Sequence, residues 1–161
     1  DMAVVTERGL VGRVSEAGPT SSKVQLILDP RSSVGTLVQR AESRVTGILT
    51  GTMDNPYMPQ MINIPRNADV EDGDAVVTSG FGGVYPKGIA VGRVASQHSD
   101  DSGLLKVAVI ETAVDFQRLE DVAIITASRE APPEPIQPQP LSPGAEAAAQ
   151  ISAAQTKAAA P

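Results

Sequence analysis

An internal repeat constrains the fold of this chain more than any other feature of its sequence. The segment Ala3–Thr6, followed by Gly9–Val14, recurs as Ala75–Thr78, followed by Gly88–Val94. Each copy then passes through a polar loop into an apolar segment, Lys23–Leu28 in the first copy and Leu104–Ile110 in the second. A solenoid needs three or more such units to cover its faces. Two copies therefore predict two related small β-domains that pack side by side.

The pattern between the turn residues predicts an all-β fold with two small related β-barrel domains. Short segments rich in Val and Ile alternate with turn signals such as Asp72-Gly73, which is typical of sandwiches and barrels. We predict ten strands: Met2–Thr6, Leu10–Glu16, Lys23–Leu28, Val34–Arg40, Arg44–Thr50, Gln60–Ile64, Ala75–Thr78, Ile89–Ala95, Leu104–Glu111 and Asp121–Thr126.

The repeat also suggests a division into domains. We place the first barrel at residues 1–30 with 98–128 and the second at residues 31–97. The second copy is preceded by an apolar segment and a turn, whereas the first starts almost directly at Ala3. We therefore expect the first barrel to lack its N-terminal strands and to show an unpaired edge or borrow a strand. Residues 129–161 hold seven of the 13 prolines and an Ala-rich stretch, which predicts a disordered tail.

Composition excludes several classes of function. The net charge is −6, and there are only two Tyr, two Phe and no Trp. Nucleic-acid binding needs a basic surface and stacking aromatics, so we exclude it. Cysteine is absent, which removes thiolate catalysis, zinc-thiolate sites and disulfides. No apolar run is long enough to span a bilayer, and we expect any membrane anchor to lie outside this chain.

The chemistry-bearing residues predict no catalytic, cofactor or metal site. His98 lies in the polar run Gln97–Gly103, and we interpret this run as a solvated loop. Its neighbours Ser99 and Asp100 raise the alternative of a serine-hydrolase-like double barrel. A catalytic triad, however, brings its members from separate elements. The run Glu71–Asp74 lacks the ligand spacing of a calcium loop, and Gly80–Gly83 lacks the context of a phosphate loop.

The second copy carries an insertion, residues 79–87, that the first copy lacks. It contains one of the two Phe and one of the two Tyr. Exposed aromatic residues commonly anchor interfaces, so we predict a protein-interaction surface there. Alternatively, both aromatics fold back into the junction between the β-domains, or each takes one role. The predicted interaction residues are Phe81, Val84, Tyr85, Pro86 and Lys87, and the predicted structural glycines are Gly12, Gly73, Gly80, Gly83, Gly88 and Gly92.

These segments resemble the MreC family of rod shape-determining proteins of bacteria. The resemblance covers residues 1–127 and is most specific in the long segment Asp72–Val94. Further matching positions are Gly9–Val14, Asp29 and Gly47–Gly51. The resemblance implies an extracytoplasmic part of two six-stranded β-barrels, located on the periplasmic side of the inner membrane. In the full-length family pattern, a membrane-spanning helix and a coiled coil precede these barrels.

The resemblance also implies a function. Members of the family are scaffolds of the elongation machinery rather than enzymes, and they organise lateral peptidoglycan synthesis through protein contacts and self-association. The implied partners are the elongation-specific penicillin-binding transpeptidase, its glycosyltransferase, MreD and, through the N-terminal part, MreB. A peptidoglycan-binding module is a further alternative, although the chain has few aromatics to stack on sugar rings.

Overall fold

The computed structural model describes residues 1–126 as ten β-strands without a helix. The predicted all-β class is confirmed. No element in this part of the chain could cross a membrane as a helix. The predicted tail, residues 129–161, lies outside the described residues. The strands are β1 (Ala3–Val5), β2 (Leu10–Ala17), β3 (Ser22–Leu26), β4 (Val34–Val38), β5 (Thr46–Thr50), β6 (Gln60–Pro65), β7 (Ala75–Thr78), β8 (Ala90–Ser99), β9 (Leu105–Thr112) and β10 (Ala123–Ile125).

The strands form a closed barrel and an open sheet. The closed barrel has the order β4-β5-β6-β9-β8-β7, and the open sheet has the order β10-β1-β2-β3. The topology corrects the predicted division at residues 98–112, which belong to the closed barrel and not with residues 1–30. The physical reason is the ladder between β8 and β9, which continues past a bulge as far as the pair Ser99 and Lys106, while β9 also pairs with β6.

The repeat is visible in the strand register. In both copies the first strand pairs with the second through the same positions, and in both a β-bulge follows the second residue. A second bulge interrupts the next ladder at matching places, after Val14 and after Val94. The matched pairs are Ala3 with Arg13 and Ala75 with Arg93, Val4 with Gly12 and Val76 with Gly92, and Val5 with Leu10 and Val77 with Ala90.

Two glycines at matched repeat positions allow close approach of neighbouring strands. A Cβ atom on Gly12 would lie 2.0 Å from the carbonyl oxygen of Gln25, and one on Gly92 would lie 2.0 Å from that of Glu111. No side chain fits at such a distance, so glycine is required here by packing and not by its φ angle.

The open sheet corresponds to four of the six barrel strands. The strands β1, β2 and β3 match β7, β8 and β9, and β10 takes the place next to β1 that β4 takes next to β7. Counterparts of β5 and β6 are absent from residues 1–126, and in this range the outer edges of β3 and β10 pair with no strand.

The barrel and the sheet enclose different apolar clusters. The larger cluster fills the barrel and continues to the face of the open sheet that carries Ala3, Leu10 and, beyond β3, Ile27. The smaller cluster lies on the opposite face of the sheet and contains Val4, Val11, Val14 and Val114, with Val24, Leu26, Phe116 and Leu119 packed against it. The sheet therefore buries apolar side chains on both faces.

Candidate functional site

The insertion forms a loop, residues 79–88, that connects β7 to β8 and is called the aromatic loop below. Thr78 is fully buried at its base. Its hydroxyl donates to the carbonyl of Pro86 at 2.5 Å and accepts the amide of Ile89 at 2.9 Å. The amide of Gly88 donates to the Thr78 carbonyl at 2.9 Å. These bonds fix both ends of the loop to the barrel.

Glycine conformation shapes the loop between these ends. Gly80, Gly83 and Gly88 have φ of 78°, 69° and 89°, and Gly82, which is not among the predicted structural glycines, has 86°. Other residues are strained in this region of φ, so the loop depends on glycine at these points. The predicted turn glycine Gly73 has φ 92°.

The two aromatic residues of the loop have opposite environments. The Phe81 side chain is 87% exposed, whereas Tyr85 is 5% exposed. Tyr85 belongs to the larger apolar cluster with Ala3 and Leu10, so it packs between the barrel and the open sheet. Burial raises the pKa of Tyr85, while the charge of Arg13 and a hydrogen bond with Ser32 oppose that rise.

Phe81 is held against the outside of the barrel. Its amide donates to the Ser79 hydroxyl at 3.2 Å, and the Ser79 amide donates to the Gly35 carbonyl at 2.9 Å. A Cβ atom on Gly35 would lie 3.1 Å from the Cβ of Phe81, so the aromatic residue rests directly on this glycine.

An apolar row continues from this point across the outer surface of the barrel. Gly35 pairs with Ile48, and Ile48 pairs with Ile62. Both isoleucines are half-buried, whereas the alternate neighbours Leu49 and Met61 are fully buried inside the barrel. Phe81, Ile48 and Ile62 therefore form an outward apolar patch.

The other predicted interaction residues of the loop differ in exposure. Pro86 and Lys87 are exposed, while Val84 is half-buried and packs against the larger cluster. The loop thus presents Phe81, Pro86 and Lys87 to solvent and uses Val84 and Tyr85 as its inner side. That this exposed side contacts a protein stays a prediction.

His98 does not lie in a loop, as the sequence suggested, because β8 extends to Ser99 and pairs His98 with Val107. Nearby, Ser102 donates its hydroxyl to the Asp100 carboxylate at 2.7 and 2.8 Å. This hydrogen bond lowers the pKa of Asp100. In residues 1–126 no hydrogen bond joins His98 to a serine or an aspartate, so these groups do not form a triad there.

An ion-pair cluster that the sequence analysis missed closes the end of β4. The Arg40 guanidinium lies 2.7 Å from a carboxylate oxygen of Asp69, 3.0 Å from one of Glu71 and 3.7 Å from one of Asp74. Ser43 donates its hydroxyl to the Asp69 carbonyl. The described residues contain no group of side chains that could hold a metal ion.

The duplicated β unit and its exposed aromatic loop define a small all-β protein whose described residues carry an outward apolar patch and no assembled catalytic group. The barrel core of the rod shape-determining protein MreC matches residues 1–126. The chain belongs to the MreC family, as its sequence motifs predicted. Members of this family are named for determining cell shape and not for an enzymatic activity.

Individual members of the family are similar over most of this chain. The cell shape-determining protein MreC of Listeria monocytogenes is 34% identical over 133 residues, which cover 81% of this chain and 45% of that protein. The chain therefore spans less than half the length of this relative. A solved structure of MreC from Listeria is 32% identical with a TM-score of 0.71, over 76% of this chain and 59% of that one.

A third match has the same fold in a complex. It is a solved complex between a penicillin-binding protein and MreC from Helicobacter pylori, at 22% identity and a TM-score of 0.63. The match covers 76% of this chain and 74% of that chain.

Proposed function

We propose that this chain is a non-catalytic scaffold module of the cell-elongation machinery, on the extracytoplasmic side of the bacterial inner membrane. It maintains cell shape by organising and activating lateral peptidoglycan synthesis through protein contacts and self-association. The observation that carries this proposal is the 87% exposure of Phe81 on a loop that is fixed at both ends.

The geometry of Phe81 suits an interface anchor. A large apolar side chain gains free energy when a partner covers it, and a fixed loop loses little conformational freedom on binding. The neighbouring half-buried Ile48 and Ile62 extend the surface that a partner would cover. Anchors of this kind are few in an interface and carry most of its free energy of binding.

The elongation-specific penicillin-binding transpeptidase is the proposed partner of this surface. Support comes from the Helicobacter pylori complex, in which an MreC of the same fold binds a penicillin-binding protein. The glycosyltransferase, MreD and MreB are proposed partners of the longer protein. A scaffold activates an enzyme only if it binds one conformer more tightly, and a preference of about 1.4 kcal/mol shifts the population tenfold.

Calorimetric titration of this chain into the extracytoplasmic part of the transpeptidase from the same organism tests the proposal. Phe81→Ala is expected to weaken binding about thirtyfold, which corresponds to the loss of roughly 2 kcal/mol typical of an anchoring residue. Met53→Ala is the matched control, because Met53 is also 87% exposed and lies outside the aromatic loop. Phe81→Ala should leave the free energy of unfolding within about 0.5 kcal/mol of the original.

Equal affinity of the transpeptidase for the original chain and for Phe81→Ala would remove the loop from the interface. Equal weakening by Met53→Ala would also contradict the proposal, because it would show that any exposed apolar side chain has the same effect.

A further inference from the structure

The two copies of the repeat carry the same outward face, and only one of these faces is fully covered. The backbones of the two copies remain equivalent past the third strand of each. The amide of Ile27 donates to the Val11 carbonyl, and the amide of Ala113 donates to the Val91 carbonyl, both at 2.9 Å. The face of the first copy consists of Ala3, Val5, Leu10 and Ile27, and the matching face of the second consists of Ala75, Val77, Ala90 and Ala113.

The face of the first copy is covered from within the chain. Ala3, Leu10 and Ile27 are at most 1% exposed and belong to one apolar cluster with Tyr85 of the aromatic loop. An aromatic side chain of this loop therefore already belongs to the apolar cluster that covers this type of face.

The face of the second copy is called the receiving face below. Gly9 of the first copy lies against it on the side formed by Ala90 and Ala113, and the face still lines a cleft. Ala90 and Ala113 are exposed, and they replace the larger Leu10 and Ile27 of the first copy. The smaller side chains leave a shallow cleft of about 380 Å³. Among its lining residues are Gln39, Arg93 and Glu111 at the edge of the apolar floor.

Phe81 and Lys87 complement this cleft. Phe81 supplies an exposed aromatic ring and Lys87 the only charge of the aromatic loop, while Glu111 supplies an exposed carboxylate at the cleft. In residues 1–126 neither Lys87 nor Glu111 takes part in an ion pair, so both are available to a partner.

Phe81 does not lie on the receiving face of its own molecule, although that face extends along β7 to Val77, close to the start of the aromatic loop. Phe81 is instead fixed over Gly35 in β4, which lies on the opposite side of β7 from β8.

We propose that the receiving face binds the aromatic loop of a second copy of this chain, with Phe81 in the cleft and Lys87 beside Glu111. This inference rests on the self-association included in the proposed function and names its interface. The loop and the face are different surfaces, so the contact is heterologous and each molecule can continue the assembly at its free end.

Mixing two variants tests the interface, with sedimentation velocity over a concentration series as the measurement. Phe81→Ser removes the aromatic ring of the loop and keeps the receiving face. Ala90→Arg blocks the receiving face and keeps the aromatic loop. Each variant alone is expected to associate about thirtyfold more weakly than the original chain, on the scale of a lost anchor. Their mixture should form one-to-one dimers and no longer species, because only one intact loop and one intact face meet.

A charge exchange provides a second test that does not depend on the folding of Ala90→Arg. Lys87→Glu and Glu111→Lys should each weaken self-association, and the double variant should restore it. Met53→Ser is the control for general apolar contacts and should associate like the original chain.

The outcomes separate this inference from the proposed function. Ala90→Arg leaves the aromatic loop intact, so it should lose self-association and still bind the transpeptidase. A chain that stays monomeric while it binds the transpeptidase, a mixture without dimers, or a cleft filled by the transpeptidase instead would each overturn the self-docking proposal alone.

Discussion

The closed barrel and the open sheet bury matched valines to a similar degree by different means. Val76, Val91 and Val94 of the barrel are at most 2% exposed, and their counterparts Val4, Val11 and Val14 of the sheet at most 8%. In the barrel, β5 and β6 supply Leu49, Met61 and Ile64 from the facing wall. In the sheet, an irregular segment supplies Val114, Phe116 and Leu119 instead. The repeat thus determines the strands and their inward residues but leaves open what covers them.

Gly92→Ala and Gly12→Ala should show the largest difference between the barrel and the sheet in the free energy of unfolding. Both add a Cβ that meets a carbonyl oxygen of the next strand, but β9 is paired on both sides, whereas β3 is an edge strand that can move away. We expect Gly92→Ala to cost about 3 kcal/mol of the free energy of unfolding and Gly12→Ala about half as much. Urea denaturation measures both.

An equal loss for the two glycine variants would show that the edge strand is held as firmly as the barrel strand. In that case another segment would have to hold the outer edge of β3 in the protein used for the measurement.

Val76→Ala and Val4→Ala compare directly the two structures that cover the matched valines, the facing strands of the barrel and the irregular segment over the sheet. Both side chains are at most 1% exposed. We expect a loss of about 2.5 kcal/mol for Val76→Ala, because the strands that enclose the cavity cannot collapse into it. Val4→Ala should cost about 1.5 kcal/mol, since the irregular covering segment can move inward. Thermal and urea unfolding provide the measurement, and a larger loss for Val4→Ala would contradict this account.

Tyr85→Phe tests the contact between the two regions and should have the smallest effect. Loss of the phenol hydroxyl removes its polar interaction with Ser32 and should cost about 1 kcal/mol at neutral pH. Burial holds the folded-state pKa of Tyr85 above its ordinary value of 10.0. The unfolded chain therefore loses this proton first, and stability declines as the pH rises above that value.

The Tyr85→Phe variant should lose this part of the alkaline decline, which urea midpoints measured between neutral pH and strongly alkaline pH would show. An identical decline in the original chain and in Tyr85→Phe would assign the alkaline sensitivity to other groups.

The local pattern predicted the strands well because their alternation of Val and Ile with turn residues is a short-range signal. All ten predicted segments overlap an observed strand, from Ala3–Val5 to Ala123–Ile125, and the ends differ by up to four residues. The division of the chain at residue 98 was less successful. Pairing of β9 with β6 joins residues at least 40 positions apart, and no local pattern encodes such a choice of partner.

The aromatic loop was recognisable in the sequence, but which of its two aromatic side chains is exposed and which is buried was not. The insertion drew attention to Phe81 and Tyr85, yet its sequence is compatible with exposure or burial of either ring. The difference arises from Gly35, which supports Phe81, and from the apolar face that receives Tyr85. The Arg40 cluster gave no sequence signal, because its carboxylates follow more than 25 residues later.

The pairing of β10 with β1 has a consequence for the order of folding. All the strands of the closed barrel lie between residues 34 and 112, so the barrel can close before the rest of the chain is complete. The open sheet gains its fourth strand only when Ala123–Ile125 returns to Ala3–Val5, across nearly the full length of the described chain. Closure of so long a loop is slow compared with the formation of hairpins. During synthesis, the barrel is therefore the unit that folds first, and the sheet is completed on a barrel that already exists.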